Sequence, residues 1–199
     1  MRRLIVNADD FGLTCGVNRA IGEAHECGIV TSTTLMACGA QFEDAVKLAQ
    51  AVPHLSVGCH VVLVDGVPVS ENRESSARSL IEESGKFRQS ILSFAWRAVA
   101  GQLDGAEIEQ EITAQIRKLQ AAGIAVSHLD SHKHTHMFPI VLNALLRAAK
   151  NCGVRAIRNP FEPLVLARTR HRKRQFQLRI LRRYQGRFRE AIEIGRAHV

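Results

Sequence analysis

The sequence lacks a long apolar stretch and any paired cysteine motif. No segment reaches the roughly 18 consecutive apolar residues of a transmembrane helix, and the chain enters a short apolar run after Met1-Arg2-Arg3 without a signal-peptide core. The five cysteines are scattered, odd in number and contain no C-x-x-C pair. Such a pattern is typical of reduced thiols. These absences predict a cytoplasmic protein without disulfides and argue against a membrane span or secretion.

Three common catalytic motifs are also missing. The chain contains no G-x-S-x-G sequence, no Walker A sequence and no G-x-G-x-x-G sequence. It therefore lacks the signatures of serine hydrolases, P-loop NTPases and dinucleotide-dependent enzymes. Cys59 stands beside His60, but neighbours in a strand point to opposite faces, which argues against a cysteine nucleophile activated by this histidine.

The positive charge is confined to the end of the chain. The net charge is +8, yet up to Ala167 there are 16 Lys and Arg against 17 Asp and Glu, whereas from Arg168 onward there are 11 against 2. The body is thus nearly neutral, and no nucleic-acid partner is expected for it. For the basic run, a solvated helix covering the fold is the plainest hypothesis, contact of Arg168–Arg189 with a membrane surface is the second, and nucleic-acid binding is the third.

Short apolar runs alternate with amphipathic helical patterns along the body. At 199 residues and 46% hydrophobic, the chain can bury one sizeable core. The alternation predicts an α/β fold with a parallel sheet, either doubly wound or closed as a barrel. Residues 65–90 are rich in Gly, Pro, Ser and charge, which predicts an excursion outside the core that serves as a lid or binding loop. The predicted strands are 3–8, 29–36, 55–63, 124–129 and 154–157, and the predicted helices are 16–27, 41–52, 91–99, 104–123 and 139–153.

The densest chemical signal lies at residues 128–136. Imidazole and carboxylate are ligands that zinc, iron, manganese or magnesium accept. In an extended chain all five candidate side chains would point the same way, whereas in a helix only two of the histidines would share a face. Pro139 favours an extended or loop conformation in the residues just before it, so several of the five could converge. The bland alternative is a polar loop whose histidines cap the next helix. The five candidates are His128, Asp130, His132, His134 and His136.

Candidate ligands follow three different predicted strands. Asp9 and Asp10 follow the first strand, His60 lies at the third, and the histidine stretch follows the fourth. Because the carboxyl ends of parallel strands meet at one edge of a sheet or barrel, we expect these residues to converge. Of two adjacent carboxylates, one can hold a metal while the other accepts a proton from water. Taken alone, the two aspartates could cap a helix and His60 could be a core histidine.

Four segments in this order carry a resemblance to a known family. They read Asn-Ala-Asp-Asp-Phe-Gly at 7–12, Ile-Val-Thr-Ser-Thr-Thr at 29–34, Gly-Cys-His at 58–60 and His-Leu-Asp-Ser-His-Lys-His-Thr-His-Met-Phe-Pro at 128–139. Together they closely resemble the YdjC-like carbohydrate deacetylases, the ChbG/HpnK group. Residues 61–68 and 159–163 are more similar to the hopanoid-biosynthesis branch, HpnK, than to the chitooligosaccharide branch.

The resemblance implies a distorted (β/α) TIM-like barrel and a divalent-metal hydrolase. The metal would be Mg²⁺, with Zn²⁺ as the alternative. The reaction would remove the acetyl group of an N-acetylated amino sugar, such as an N-acetylglucosamine-type oligosaccharide or glycolipid, including an acetylglucosaminyl hopanoid. The implied roles are metal ligands for Asp10, His60 and His132, general base for Asp9, candidate general acids for His134 and His136, and positions behind the ligands or near the substrate for His128 and Asp130.

The chain departs from the family pattern after Pro163. A further His-Pro motif of the family is missing, residues 168–192 form a basic segment with a helical pattern, and residues 193–199 resemble the translation of a sequencing adapter. The chain is also shorter than the roughly 250 residues of a complete barrel. We therefore expect an incomplete barrel domain at 1–167, an open barrel edge and a missing native carboxyl end.

Other functions and partners stay open. A metal phosphoesterase would use the same kinds of ligand, usually with two metals and basic residues at the site. A non-catalytic module that binds a sugar or a metal would keep the ligands without needing Asp9. A peripheral position at the inner membrane face and a homodimer are the remaining expectations.

Overall fold

The computed structural model describes residues 4–70, 77–160 and 186. The basic segment predicted at 168–192 and the non-native tail predicted at 193–199 lie outside the described residues, apart from Gly186. The predictions for these two segments therefore stay predictions. No helix in the described part of the chain is both long enough and apolar enough to cross a membrane.

Four short parallel strands form the sheet in the described residues. They are β1 (Asn7–Phe11), β2 (Ser32–Leu35), β3 (Ser56–Val61) and β4 (Leu129–Ser131), and they lie side by side in the order β1-β2-β3-β4. Ile157 adds one parallel bridge to Leu129. Strands that are consecutive in the chain are thus neighbours in the sheet, and every pair is parallel. The predicted α/β fold with a parallel sheet is confirmed, and this order is compatible with a TIM-like barrel.

Helices connect the strands. The helices α1 (Cys15–Glu26) and α2 (Phe42–Ala51) follow β1 and β2, α3 (Ile91–Val99) and α4 (Gly105–Ala121) follow β3, and α5 (Pro139–Cys152) follows β4. Capping explains two of these bounds. The Asp104 carboxylate accepts hydrogen bonds from the backbone N–H groups of Ala106 and Glu107 at the start of α4. Gly153, with a φ of +74°, ends α5 in the left-handed conformation that glycine adopts without strain.

The core lies between the sheet and the helices. The helix α4 buries one apolar face completely, and its main neighbour is α5. The five cysteines are unpaired in the structure. Cys59 is fully buried, and this burial raises the pKa of its thiol well above the ordinary value. A thiol held neutral in this way is a poor nucleophile. The buried apolar residues of α4 are Ile108, Ile112, Ile116 and Leu119.

The segment between β3 and α3 is more buried than predicted. Polar side chains of α4 bind its first part: Gln115 donates to the Val62 carbonyl at 2.7 Å and accepts from the Val62 N–H at 2.9 Å. The buried Glu111 carboxylate accepts from the N–H groups of Val69 and Ser70 at 2.9 and 3.1 Å. The prediction that the whole excursion lies outside the core is therefore wrong. Its buried apolar residues within 65–90 are Ala77, Leu80 and Phe87.

All five predicted strands differ in their bounds, and β2 and β3 are only shorter than predicted. The strand β1 begins at Asn7 rather than Arg3 and includes both aspartates, and β4 pairs over Leu129–Ser131 rather than 124–129. The predicted fifth strand contributes one bridge, at Ile157. Apolar runs mark where a strand enters the core, whereas the hydrogen-bonded ladder here extends into the polar residues that follow.

The histidine stretch does not continue β4 as an extended chain. Residues His132–Met137 form a short 3₁₀ segment, interrupted at Lys133 and His134, which both have a φ of +53°. This left-handed conformation turns the chain, so that His134 is exposed while His136 is buried. Of the two conformations considered for this stretch, the extended one that would point all five side chains the same way is therefore not the one observed.

Candidate metal and catalytic site

One carboxylate and two imidazoles meet at the carboxyl ends of three strands. His60 Nε2 lies 3.3 Å from Asp10 Oδ1, and His132 Nδ1 lies 3.2 Å from the same oxygen. The two imidazole nitrogens are 3.4 Å apart. The Asp10 and His132 side chains are 36% and 19% exposed, whereas that of His60 is 4% exposed. The predicted convergence of these three segments is thus observed, and the cluster is open to solvent on the side of Asp10.

The electrostatics of the cluster fit a cation. Burial alone would lower the pKa of His60, but hydrogen bonds to Asp10 and Asp130 outweigh burial and raise that pKa to about 9. The hydrogen bond from His60 lowers the pKa of Asp10, and burial lowers the pKa of His132. The site therefore favours positive charge next to the Asp10 carboxylate. One ligand atom each from Asp10, His60 and His132 lies there, all within 4.8 Å of one another. An ionised carboxylate and imidazole lone pairs suit a divalent metal.

A bulge in β1 directs Asp10 toward the two histidines. The register between β1 and β2 shifts between Ala8 and Phe11, and Asp10 has a φ of +63°. An L-residue in this region costs about 1 kcal/mol, and aspartate is among the residues that tolerate it best. The turn that follows is secured by Asn18, whose Oδ1 accepts a hydrogen bond from the Gly12 N–H at 2.7 Å. Local strain at a ligand position is common in functional sites.

Asp130 holds His60 from behind. His60 Nδ1 donates to Asp130 Oδ1 at 2.7 Å, and the hydroxyl of Thr34 donates to Asp130 Oδ2 at 3.2 Å. Because Nδ1 donates to Asp130, Nε2 is the nitrogen that faces Asp10 and His132, and it would give its lone pair to a cation that replaced the proton there. A carboxylate behind a histidine in this way orients the imidazole and increases its basicity as a ligand.

Asp9 lies beside the cluster and is bound by an arginine. Arg158 Nη1 donates to Asp9 Oδ1 at 2.6 Å, and Asn7 Nδ2 donates to the same oxygen at 2.8 Å. Both of these bonds reach Oδ1, and Oδ2 has none within the described residues. The side chain is partly exposed, at 36%. Its second oxygen is therefore available to take a proton.

His128 and His134 lie on opposite sides of β4 in the chain: His128 precedes the strand, and His134 lies in the 3₁₀ segment that follows it. His134 is exposed at the surface, but the protein surrounds part of its ring, and this partial burial and then the positive charge of Arg158 lower its pKa. His128 precedes β4, contacts the Ser127 hydroxyl at 2.8 Å and lies against Gly58, where a Cβ atom would be only 2.6 Å from the ring. Burial lowers the pKa of His128 as well. His134 is therefore the more accessible of the two for a substrate.

His136 is buried between the Ser131 hydroxyl and the Arg158 backbone carbonyl. Its Nε2 lies 3.1 Å from the Arg158 carbonyl oxygen and its Nδ1 lies 2.5 Å from Ser131 Oγ. A neutral ring satisfies both contacts, donating from Nε2 and accepting at Nδ1. Consistent with this, burial lowers the pKa of His136 to about 4. The geometry favours a structural role for His136 over the general-acid role suggested by the resemblance.

Sequence reasoning missed Arg158 and Thr34 as members of the site. Arg158 follows the last predicted strand and Thr34 lies in the second, so the rule that sites gather at strand carboxyl ends could have found both. Lys133 was also overlooked. It binds the Asp65 carboxylate at 2.8 Å and the Gln89 carbonyl at 3.4 Å, which attaches the excursion to the histidine stretch.

The fold and the cluster together define a class: parallel α/β proteins in which one aspartate and two histidines meet at the ends of the strands, close enough to hold a cation. Within that class, the chain belongs to the YdjC-like protein family, which it matches over residues 3–198. The resemblance to YdjC-like proteins that the motifs predicted is thereby confirmed.

Its curated relatives include carbohydrate deacetylases. The one from Brevibacillus brevis is 44% identical over 155 residues, which cover 76% of this chain and 57% of the relative. The one from Oceanobacillus iheyensis is 38% identical over 155 residues, which cover 76% of this chain and 63% of the relative. The chain thus spans about three-fifths of the length of these relatives.

A solved structure shares the fold. It is the crystal structure of an Enterococcus faecalis V583 protein named for cellobiose-phosphate cleavage. The similarity has a TM-score of 0.69 at 28% sequence identity, and it covers 91% of this chain and 64% of the other.

Proposed function

We propose that the protein is a metal-dependent carbohydrate N-deacetylase. The observation that carries this proposal is the convergence of Asp10, His60 and His132, together with a second carboxylate, Asp9, which precedes Asp10 in β1 and is joined to Asp130 through Arg158. The deacetylase names of the curated relatives support the reaction class. The substrate would be an N-acetylated amino sugar, and the products would be acetate and the free amine.

The chain's own residues divide the work. A divalent cation held by Asp10, His60 and His132, Mg²⁺ or Zn²⁺, would polarise the acetamide carbonyl and lower the pKa of a nearby water. Asp9 accepts the proton of the attacking water through Oδ2, since Oδ1 is engaged by Arg158 and Asn7. Asp130 keeps His60 in the tautomer that a metal ligand requires.

A proton must also reach the departing amine. His134 is the candidate that the geometry supports, because it is exposed and lies two residues after the candidate ligand His132. His136 is enclosed by Ser131 and Arg158 and lacks such access. We therefore assign the general-acid role to His134.

The HpnK-like features of the sequence suggest a lipid-linked substrate. We propose a glycolipid such as an acetylglucosaminyl hopanoid, with contact between Arg168–Arg189 and the inner membrane face, since a basic segment with interspersed apolar residues binds anionic lipid surfaces. Co-sedimentation with anionic vesicles tests this contact. We expect the full chain to sediment and a variant lacking residues 168–199 to stay in solution, and equal sedimentation of both would contradict the membrane role.

Acetate release tests the proposed reaction. We expect the chain to release acetate from N-acetylglucosamine oligomers or glycolipids with added Mg²⁺ or Zn²⁺. We expect this release to stop when EDTA is present. The Asp9→Asn variant removes the proton acceptor and should lower the rate by about 100-fold or more. Release that continues unchanged in EDTA would contradict the metal mechanism.

Arg158 beside the cluster keeps a phosphoesterase as a second candidate, because a cationic side chain at the site suits a phosphate group. Against it, both contacts of Arg158 Nη1 go to carboxylates, and a single metal-competent cluster lies in the described residues. Assaying a phosphodiester under the same conditions separates the two candidates. Phosphodiester cleavage without acetate release would favour the phosphoesterase.

A further inference from the structure

One nitrogen of Arg158 joins two carboxylates with different tasks. Its Nη1 donates to Asp9 Oδ1 at 2.6 Å and to Asp130 Oδ2 at 3.1 Å. The first of these carboxylates is the proposed proton acceptor. The second holds His60 Nδ1 with its other oxygen, at 2.7 Å. A continuous series of hydrogen bonds therefore runs from Asp9 through Arg158 and Asp130 to a ligand imidazole.

The backbone of Arg158 is fixed on both sides. Its N–H donates to the Leu129 carbonyl at 2.9 Å, which places it beside the start of β4. Its carbonyl lies 3.1 Å from His136 Nε2, and the other nitrogen of that ring contacts Ser131. The buried histidine of the stretch thus attaches the Arg158 segment to β4. The structural role of the buried His136 is therefore to hold the Arg158 backbone against β4.

The charges of the site also require Arg158. Three carboxylates, Asp9, Asp10 and Asp130, crowd around the cluster, and two of them are within reach of the arginine. Burial would lower the pKa of Arg158, but Asp9 and Asp130 outweigh it and raise the pKa. A divalent cation together with one arginine balances three carboxylates when both imidazoles are neutral. Without the arginine, the two carboxylates that it joins would repel each other at short range.

We propose that Arg158 is a positioning residue that holds the Asp9 carboxylate in place relative to the metal ligands. Resting on the proposed deacetylase function, this assigns to Arg158 a role in the chemical step and not in binding the metal or the sugar. The planar guanidinium fixes a carboxylate better than a lysine ammonium does, since it forms hydrogen bonds in a rigid geometry. A displaced proton acceptor would slow the reaction while leaving its ligands intact.

Three variants and a control test this role. Arg158→Gln keeps a polar side chain without the charge, Arg158→Lys keeps the charge without the planar group, and Arg158→Ala opens space for added guanidinium ion. Arg155→Gln is the matched control, because Arg155 is an exposed arginine on the same segment. For each protein we would measure kcat and KM for acetate release, and the dissociation constant of Zn²⁺ by calorimetry in the absence of substrate.

The expected pattern is specific. Arg158→Gln should lose about 100-fold in kcat, the scale of a misplaced catalytic group, with KM and Zn²⁺ affinity nearly unchanged. Arg158→Lys should recover part of the loss, millimolar guanidinium should restore part of the activity of Arg158→Ala, and Arg155→Gln should match the wild type. Thermal unfolding of each variant identifies loss through misfolding, which added guanidinium would not reverse.

Several results would overturn the inference. An active wild type with an equally active Arg158→Gln variant removes the role, and so does a loss of Zn²⁺ affinity as large as the loss of kcat. Failure of guanidinium to restore any activity in folded Arg158→Ala also contradicts positioning. A wild type that binds Zn²⁺ and releases no acetate overturns the proposed function instead, and the assigned role with it.

Discussion

At the scale of single residues, Asp130 connects the candidate ligand His60 to Arg158, which in turn binds Asp9. It is almost completely buried, yet its oxygens accept hydrogen bonds from His60, Thr34 and Arg158. Burial would raise its pKa, but these interactions, led by the one with His60, keep the pKa below the ordinary value. An ionised carboxylate in this place can orient the imidazole and the guanidinium at once.

Replacing Asp130 should weaken metal binding. In Asp130→Asn the amide no longer provides the anion behind His60, and the affinity for Zn²⁺ should fall by about 10- to 100-fold, as for other carboxylates that support a ligand histidine. Calorimetric titration measures this directly. Asp65→Asn is the control, because Asp65 pairs with Lys133 at the surface. Unchanged affinity in Asp130→Asn would show that His60 does not depend on this carboxylate.

His136 should make stability depend on pH. Its pKa is about 4 in the folded protein against an ordinary value of 6.5, so between these values the unfolded chain binds more protons. Stability is therefore full above pH 6.5 and falls as the pH drops toward 4, by about 3 kcal/mol in all. Urea unfolding at pH 7 and pH 5 would show a smaller difference for His136→Gln than for the wild type. Equal pH dependence in both would contradict the buried neutral ring.

At the scale of secondary-structure elements, periodicity and residue type predicted the regular helices and strands but not the local kink in the histidine stretch. The five helices and the parallel strands followed from apolar spacing, because a helix or strand must bury one face, whereas the strand order did not. The carboxyl-end rule brought Asp10, His60 and His132 together. The kink at Lys133 and His134 could not be read from the chain, since left-handed φ values at non-glycine residues arise from tertiary contacts.

The helix α4 should hold the segment at residues 65–90 in place through Glu111. In Glu111→Ala the N–H groups of the partly buried Val69 and the buried Ser70 lose their acceptor, which should cost about 2 kcal/mol of unfolding free energy. Hydrogen exchange should show both amides losing protection. Glu109→Gln on the same helix, where the carboxylate binds Arg147, should leave them protected. Full protection in Glu111→Ala would mean that other contacts hold the segment.

At the scale of the whole molecule, the sheet gathers groups that the chain separates widely. Asp9 and Asp10 lie in β1, His60 in β3, Asp130 in β4, and Arg158 just after the bridge at Ile157. Only a parallel sheet brings these positions to one edge, which is why the metal-competent cluster could be predicted from strand ends. The contacts of Arg158 could not, because they depend on the direction of one long side chain.

The two adjacent aspartates should have separable tasks, with Asp10 holding the metal and Asp9 taking the proton. The most direct test titrates Zn²⁺ into Asp9→Asn and Asp10→Asn and follows acetate release in the same samples. We predict that Asp9→Asn binds Zn²⁺ as the wild type does but releases almost no acetate, whereas Asp10→Asn loses at least about 100-fold in affinity. Wild-type Zn²⁺ affinity in Asp10→Asn, or full acetate release by Asp9→Asn, would contradict this division.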